Sequence, residues 1–153
     1  MKYYAVIDTN VIVSAVLKRQ SVPGSVVELA IEGVLIPVLN KKIVEEYRTV
    51  LMRPKFGLTK DLVENIISSL EKTGFYIDGK KTNVNLPDSK DVIFYEVVME
   101  GRENTDTYLV TGNIKHFPSK PFIVTPKQML DILLSDYNFI DDGGGGYFNE
   151  SSS

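Results

Sequence analysis

The sequence predicts an α/β protein, with a central, mostly parallel sheet between two layers of helices in a three-layer α/β/α sandwich. Short β-branched and aromatic runs alternate with longer segments of helical spacing, which is typical of βαβ units. The first run, YYAVI at 3–7, offers no polar face, as expected for a strand buried on both sides. The chain has 153 residues, 43% of them hydrophobic, so it is the size and composition of one globular domain.

The first half of the chain is predicted to contain two strands and four helices. The strands are placed at 3–7 and 35–38, and the helices at about 11–20, 23–33, 40–51 and 59–74. Asn40 and Thr59 are expected to cap the third and fourth helices, which end near Pro54 and Gly74. The fourth helix is expected to bury one side, formed by Leu62, Ile66, Ile67 and Leu70.

The second half continues the alternation. A short extended segment at 75–77 precedes a polar loop, GKKTNVNLPDSK, and a helix at about 89–100. Strands are predicted at 108–110 and 122–124, and Thr125 with Pro126 begins a last helix that runs through Leu133. We expect one domain at 1–140 and a flexible tail at 141–153, whose Gly- and Ser-rich composition buries too little surface to become ordered.

Composition narrows the classes of function. Lysine and arginine number 17 against 20 acids, a net charge of −3, so any contact with nucleic acid must be local. The absence of cysteine excludes disulfides, thiolate catalysis, zinc fingers and iron–sulfur clusters. No apolar run approaches the roughly 20 residues of a membrane span, and no secretory signal is visible, so we expect a cytoplasmic protein without membrane contact.

Three acidic residues are candidates for a common site. Asp8 ends the first strand at the carboxyl edge of the sheet, where open α/β sheets bind ligands, and Asn10 lies just beyond it. Asp8 is equally well placed to cap the next helix, and both interpretations stay open. Glu46 and Asp91 each lie on a helix, where a boundary charge or a partner for the helix dipole is the simpler interpretation. One acid per βα unit at one sheet edge would nevertheless assemble a cation site.

Four segments within residues 1–134 resemble the PIN-domain ribonucleases, in particular the prokaryotic group described as toxins of toxin–antitoxin pairs. The segments are VIDTNVIVSAVL, IVEEYRTVLMRPKF, LPDSKDVIFYEVVMEG and TYLVTGNIKHFP. The resemblance implies a metal-dependent endoribonuclease that cleaves single-stranded RNA, with Asp8, Glu46 and Asp91 as acidic metal ligands and catalytic residues. It also implies a cognate antitoxin as partner, and we expect a homodimer.

The chain departs from the family at the fourth acidic position, which is Asn113. An amide supplies one neutral oxygen, so a second metal ion should bind weakly if at all. Asp88 is able to supply the missing charge through a water, or to cap the helix that follows Pro87. The departure leaves open a catalytically weakened module that binds RNA or protein. A phosphoacceptor or phosphatase domain is the least favoured, since it would need Asp-x-Asp at the first strand.

Magnesium or manganese fits the candidate ligands. Two unit charges ~4 Å apart repel by roughly 4 kcal/mol at an effective dielectric of 20, so converging carboxylates need a cation. The ligands are oxygens, and the lone His116 cannot build a typical zinc site.

Substrate contacts are predicted for Asn10, Arg48, Arg53 and Asn113. The two arginines lie near the Glu46 helix and its exit, whereas the other basic candidates, Lys18, Arg19, Lys55 and Lys115, are more simply explained as solvated. Ser14 and Thr111 are potential hydrogen-bond partners of a ligand carboxylate or phosphate, although packing is the simpler role. His116 and Phe117 either pack the last loop or reach the substrate.

Overall fold

The computed structural model describes residues 2–143, and side chains for residues 2–136. Five parallel strands form one sheet in the order β3-β2-β1-β4-β5. The strands are β1 (Tyr3–Ile7), β2 (Leu35–Leu39), β3 (Phe75–Tyr76), β4 (Thr107–Val110) and β5 (Ile123–Val124).

Within residues 2–143, six α-helices cover the sheet: α1 (Thr9–Leu17), α2 (Val22–Ile31), α3 (Lys41–Leu51), α4 (Lys60–Thr73), α5 (Val92–Gly101) and α6 (Pro126–Gly143). Helix α2 packs against α1, α4 and α6, while α5 packs across β1, β2 and β4. The predicted three-layer α/β/α fold is confirmed. No helix within residues 2–143 has both the length and the apolar character needed to span a bilayer.

The central strand explains why the sheet is covered on both faces. Ala5 and Val6 are fully buried although their side chains point to opposite sides of the sheet. Strand β1 pairs with β2 through Tyr3–Leu35 and with β4 through Ile7–Val110. Because all strands are parallel, the residues that follow β1, β2 and β4 meet at one carboxyl edge.

The predicted caps are confirmed. Asn40 Oδ1 accepts the Lys42 N–H at 2.7 Å, and Thr59 Oγ1 accepts the Leu62 N–H at 3.2 Å. At the last helix, Thr125 and Gln128 exchange two hydrogen bonds as a capping box.

Some predicted boundaries and one buried face differ from the structure. Helix α1 begins directly after Asp8, and a short 3-10 turn at Ser89–Asp91 precedes α5. On α4, Val63 is buried with Ile67 and Leu70, whereas Leu62 is 43% exposed, so the prediction for Leu62 was wrong.

The last helix continues past Leu133 to Gly143, since no Pro or Gly occurs between them to stop it. Residues 141–143 of the predicted tail therefore belong to α6. The remainder of that tail, 144–153, lies outside the described residues.

Candidate active site

Asp8 follows β1 at the carboxyl edge of the sheet and is 4% exposed. Its backbone N–H continues the pairing with β4 by donating to the Val110 carbonyl at 2.9 Å. Although Asp8 occupies the N-cap position of α1, its side chain makes no capping hydrogen bond. Instead, Oδ2 accepts from Thr111 Oγ1 at 2.7 Å and from Asn10 Nδ2 at 3.3 Å. The capping interpretation of Asp8 is therefore not the one the structure supports.

The loops after β1 and β4 are joined by a small network around Asp8. Thr111 is fully buried, and its hydroxyl donates to Asp8 while accepting the Asn113 N–H at 2.9 Å. Asn10 Oδ1 accepts the Gly112 N–H at 3.2 Å. Asn10 and Thr111 thus fix the position of the Asp8 carboxyl, and the role suggested for Thr111 as a partner of a ligand carboxylate agrees with this geometry.

Glu46 and Asp91 line the same cleft as Asp8. Glu46 is half-buried on α3, and Asp91 closes the 3-10 turn before α5, with its side chain 14% exposed. The cleft has a volume of about 390 Å³ and is bordered by the three carboxylates together with Asn10, Asp88 and Asn113. The structure therefore brings the three predicted acids together at one sheet edge.

The carboxylates perturb one another. Burial, together with the charges of Asp91 and Glu46, raises the pKa of Asp8 to about 6, against the opposing effect of the Thr111 hydrogen bond. Burial and the charge of Asp88 raise the pKa of Asp91, while His116 lowers it. Since the ionised forms of Asp8 and Asp91 are disfavoured in this cleft, a bound cation would be stabilised by their negative charges.

Tyr47 fixes the helix that carries Glu46, a role that sequence reasoning did not identify. Its hydroxyl donates to the Ile7 carbonyl at the end of β1, and the side chain is almost fully buried. This contact holds α3 against the strand that precedes Asp8. The signal was its place on the apolar side of α3, next to Glu46, but its hydroxyl's partner is 40 residues away.

The two predicted arginines have different surroundings. Arg53 borders the cleft, and no ion pair forms at its guanidinium within residues 2–136. Arg48 instead binds Glu64 through two hydrogen bonds, of 2.7 and 3.2 Å, and pairs with Glu45 at 3.0 Å. The structure does not bring Arg48 to the cleft, because the acids of α3 and α4 hold its side chain.

Lys90 borders the cleft and was missed by the sequence analysis. The available signal was its place directly before Asp91. Ser14 also borders the cleft, whereas Lys18, Arg19, Lys55 and Lys115 do not.

Residues after β4 divide into packing and cleft positions. Phe117 is 7% exposed and packs in the core, as its simpler interpretation predicted. His116 borders the cleft, with Nδ1 3.5 Å from Asp91 Oδ2. Asn113 is exposed at the rim, and Asp88 caps its turn by accepting the Lys90 N–H at 3.0 Å.

The donor chemistry of the cleft fits a hard divalent cation. Carboxylate and amide oxygens are the ligands that magnesium prefers, and the buried Thr9 hydroxyl, also in the cleft lining, has no hydrogen-bond partner among the described residues. As the side chains stand, however, no set of three His, Cys, Asp or Glu residues in the described part of the chain is arranged to hold a metal ion.

Comparison with known proteins agrees with the fold. The family model described as "PIN domain" matches residues 4–115, well over half of the chain. The match includes Asp8, Glu46, Asp91 and Asn113. No curated protein and no solved structure shows significant similarity to the chain. The chain therefore belongs to the PIN-domain family, a nuclease-like fold whose members are generally nucleases.

Proposed function

We propose that the protein is a magnesium- or manganese-dependent endoribonuclease that cleaves single-stranded RNA. The observation that carries the proposal is the convergence of Asp8, Glu46 and Asp91, from three separate elements, on one cleft at the carboxyl edge of a parallel sheet. Asp88 and Asn113 at the rim are additional candidate ligands. A divalent ion bound there supplies an activated water and stabilises charge on the scissile phosphate.

The chain's own residues orient the ligands and the strand. Thr111 and Asn10 hold the Asp8 carboxyl, and Tyr47 holds the helix of Glu46. Arg53 and Lys90 lie at the same cleft, where they neutralise phosphates of a bound strand. The amides of Asn10 and Asn113 border the cleft and offer donors and acceptors to phosphate or ribose oxygens.

The test is cleavage of an end-labelled single-stranded RNA with Mg²⁺, Mn²⁺ or EDTA, with single-stranded DNA in parallel. Wild type is expected to cut the RNA only with metal, and Asp8→Asn and Asp91→Asn to lose cleavage while remaining folded. Asp106→Asn is the matched control, because Asp106 is 94% exposed and does not border the cleft. Cleavage by Asp8→Asn at the wild-type rate would remove Asp8 from the mechanism.

A second candidate is a PIN-like module that binds RNA or protein without cutting. It is favoured by Asn113 at the family's acidic position and by the lack of a ligand-like set of three side chains within the described residues. Metal-independent RNA binding by wild type, with no product at any metal concentration, would select this candidate.

The toxin role and the antitoxin partner remain predictions of the resemblance, and the homodimer remains our own expectation. Light scattering coupled to size exclusion tests the dimer. Growth arrest on expression, relieved by the product of an adjacent gene, tests the toxin role.

A further inference from the structure

An aromatic side chain borders the cleft without belonging to the core. Phe56 lines the cleft with Val13 and Val50, and its side chain is only partly buried. Within the described residues, Phe56 is neither part of the buried core nor among the partly buried hydrophobic residues that pack against it. Its neighbour Leu58 does pack against the core, so the turn is anchored without Phe56.

We propose that Phe56 is a base-stacking residue, which binds an unpaired nucleobase beside the cluster of carboxylates. The inference rests on the proposed function and names the structural feature that would select a single-stranded substrate. Every base presents a π-face, so an aromatic platform binds successive bases with little sequence preference. In a duplex those faces are covered by neighbouring base pairs, and the platform has no partner.

The backbone that carries the phenyl ring is held in a defined turn. Phe56 ends the 3-10 turn Pro54–Phe56, in which its N–H donates to the Arg53 carbonyl at 3.0 Å. Pro54 fixes one dihedral of the turn, and Gly57 ends it with a φ of +64°, a conformation that L side chains rarely adopt. Because the backbone beneath the ring is already ordered in this turn, binding a base there costs little backbone conformational freedom.

Charges around the ring suit a nucleotide better than a purely apolar ligand. Arg53 borders the same cleft, and the Lys55 Nζ lies 5.2 Å from the centre of the Phe56 ring. Neither cation forms an ion pair within residues 2–136. An aromatic ring with one cation beside it and another at the same cleft suits a base and the phosphates next to it. The contact between Lys55 and the ring is exposed and weak, so a base is able to displace it.

The chain contains no tryptophan, which makes a direct test possible. Phe56→Trp, made in an Asp8→Asn background to prevent cleavage, places a single indole at the proposed platform. Phe75→Trp in the same background is the matched control, because Phe75 is 43% exposed on β3 and does not border the cleft. The probes are a short oligoadenylate and an abasic ribose-phosphate strand of equal length. Binding of each strand is measured separately by the fluorescence anisotropy of a dye-labelled version of that strand.

Stacking predicts that oligoadenylate quenches the fluorescence of Phe56→Trp and that the abasic strand does not. Phe75→Trp should respond to neither strand. Phe56→Ala and Phe56→Leu should each bind oligoadenylate about tenfold more weakly and bind the abasic strand unchanged. The leucine variant keeps apolar volume but lacks a ring, so full affinity in Phe56→Leu would overturn the proposal. Thermal melts of both variants should match their parent, since Phe56 lies outside the core.

The outcomes separate this inference from the proposed function. If oligoadenylate binds by anisotropy but Phe56→Trp is not quenched, stacking on Phe56 is wrong and the RNA substrate stands. If quenching occurs but the wild type never cleaves RNA, the base platform stands and the endoribonuclease proposal fails. If no variant binds oligoadenylate, the base platform fails, and metal-dependent cleavage of RNA by the wild type still decides the proposed function.

Discussion

The Thr111 hydroxyl donates a hydrogen bond of 2.7 Å to Asp8 Oδ2, which joins two residues that are 103 positions apart in the chain. Both side chains are buried, so the bond stabilises the ionised carboxyl where solvent cannot. It also positions the acid on which the proposed site is centred.

Replacing Thr111 should therefore destabilise the protein more when Asp8 is ionised. Thr111→Val keeps the shape but removes the donor, which should raise the pKa of Asp8 further and lower the free energy of unfolding by about 1–3 kcal/mol at pH 8. At pH 4.5 or so, where folded Asp8 is protonated, the loss should be smaller. Urea denaturation at both pH values measures the difference. Thr111→Ser retains the hydroxyl and should lose less stability. If its free energy of unfolding fell as much as that of Thr111→Val, this explanation would be wrong.

Asp8→Asn should change how stability depends on pH in the absence of metal. The pKa of Asp8 is about 6 in the folded protein and near 3.9 when unfolded, so its ionisation opposes folding. This penalty is absent below about pH 4, grows as the pH rises through 6 and reaches about 3 kcal/mol above that. Asp8→Asn should remove the decline and be the more stable protein at pH 7.5 or so.

The measurement is urea denaturation in EDTA across this pH range. Asp106→Asn, an exposed acid outside the cleft, is expected to follow the wild type. If the free energy of unfolding changed with pH in the same way in wild type and Asp8→Asn, the raised pKa of Asp8 would not be the cause of the decline.

Arg53 and Arg48 should differ in their effect on RNA binding. Arg53→Gln is expected to weaken binding of single-stranded RNA several-fold and to reduce the salt dependence by about one counterion, because Arg53 borders the cleft. Arg48→Gln should leave RNA affinity unchanged and cost at most about 1 kcal/mol of stability, since its pairs with Glu64 and Glu45 are partly exposed and screened. Fluorescence anisotropy of labelled RNA at two salt concentrations measures the affinity of both variants. An equal loss of RNA affinity in the two variants would show that Arg48 also contacts the RNA.

Asn113→Asp should strengthen metal binding. The substitution restores the acidic residue of the family pattern at the rim of a cleft that already contains three carboxylates, so Mn²⁺ affinity and activity at low metal concentration should rise. Without metal the variant should be slightly less stable, because the added charge repels the others. Calorimetric titration of Mn²⁺ is the measurement, with Asn104→Asp, outside the cleft, as the control. Unchanged affinity in Asn113→Asp would mean that residue 113 does not contact the ion.

The sequence alone determined the order of the strands and helices along the chain, and it singled out Asp8, Glu46 and Asp91 as candidates for a common site. Short, continuous β-branched and aromatic runs distinguish the buried strands from helices of 3.6-residue period, and caps such as Asn40 and Thr59 locate helix starts within a few residues. Parallel strands joined by helices place their carboxyl ends on one side, which predicted Asp8 at that edge, whereas the positions of Glu46 on α3 and Asp91 before α5 depended on how those helices pack. The order of the strands and helices follows from local geometry, which the sequence records directly.

The tertiary structure decided which groups each of these side chains contacts. Asp8 was equally suited to cap α1, and its actual partner, Thr111, directly follows β4 and is 103 positions away in the chain. Arg48 was expected at the substrate, yet α4 brings Glu64 to it. Phe56 looked like any apolar residue in the sequence, and only packing shows that it stands outside the core and beside the cleft. Such choices turn on about 1 kcal/mol between alternative hydrogen bonds or contacts, and they depend on groups that folding brings together, so no local pattern in the chain encodes them.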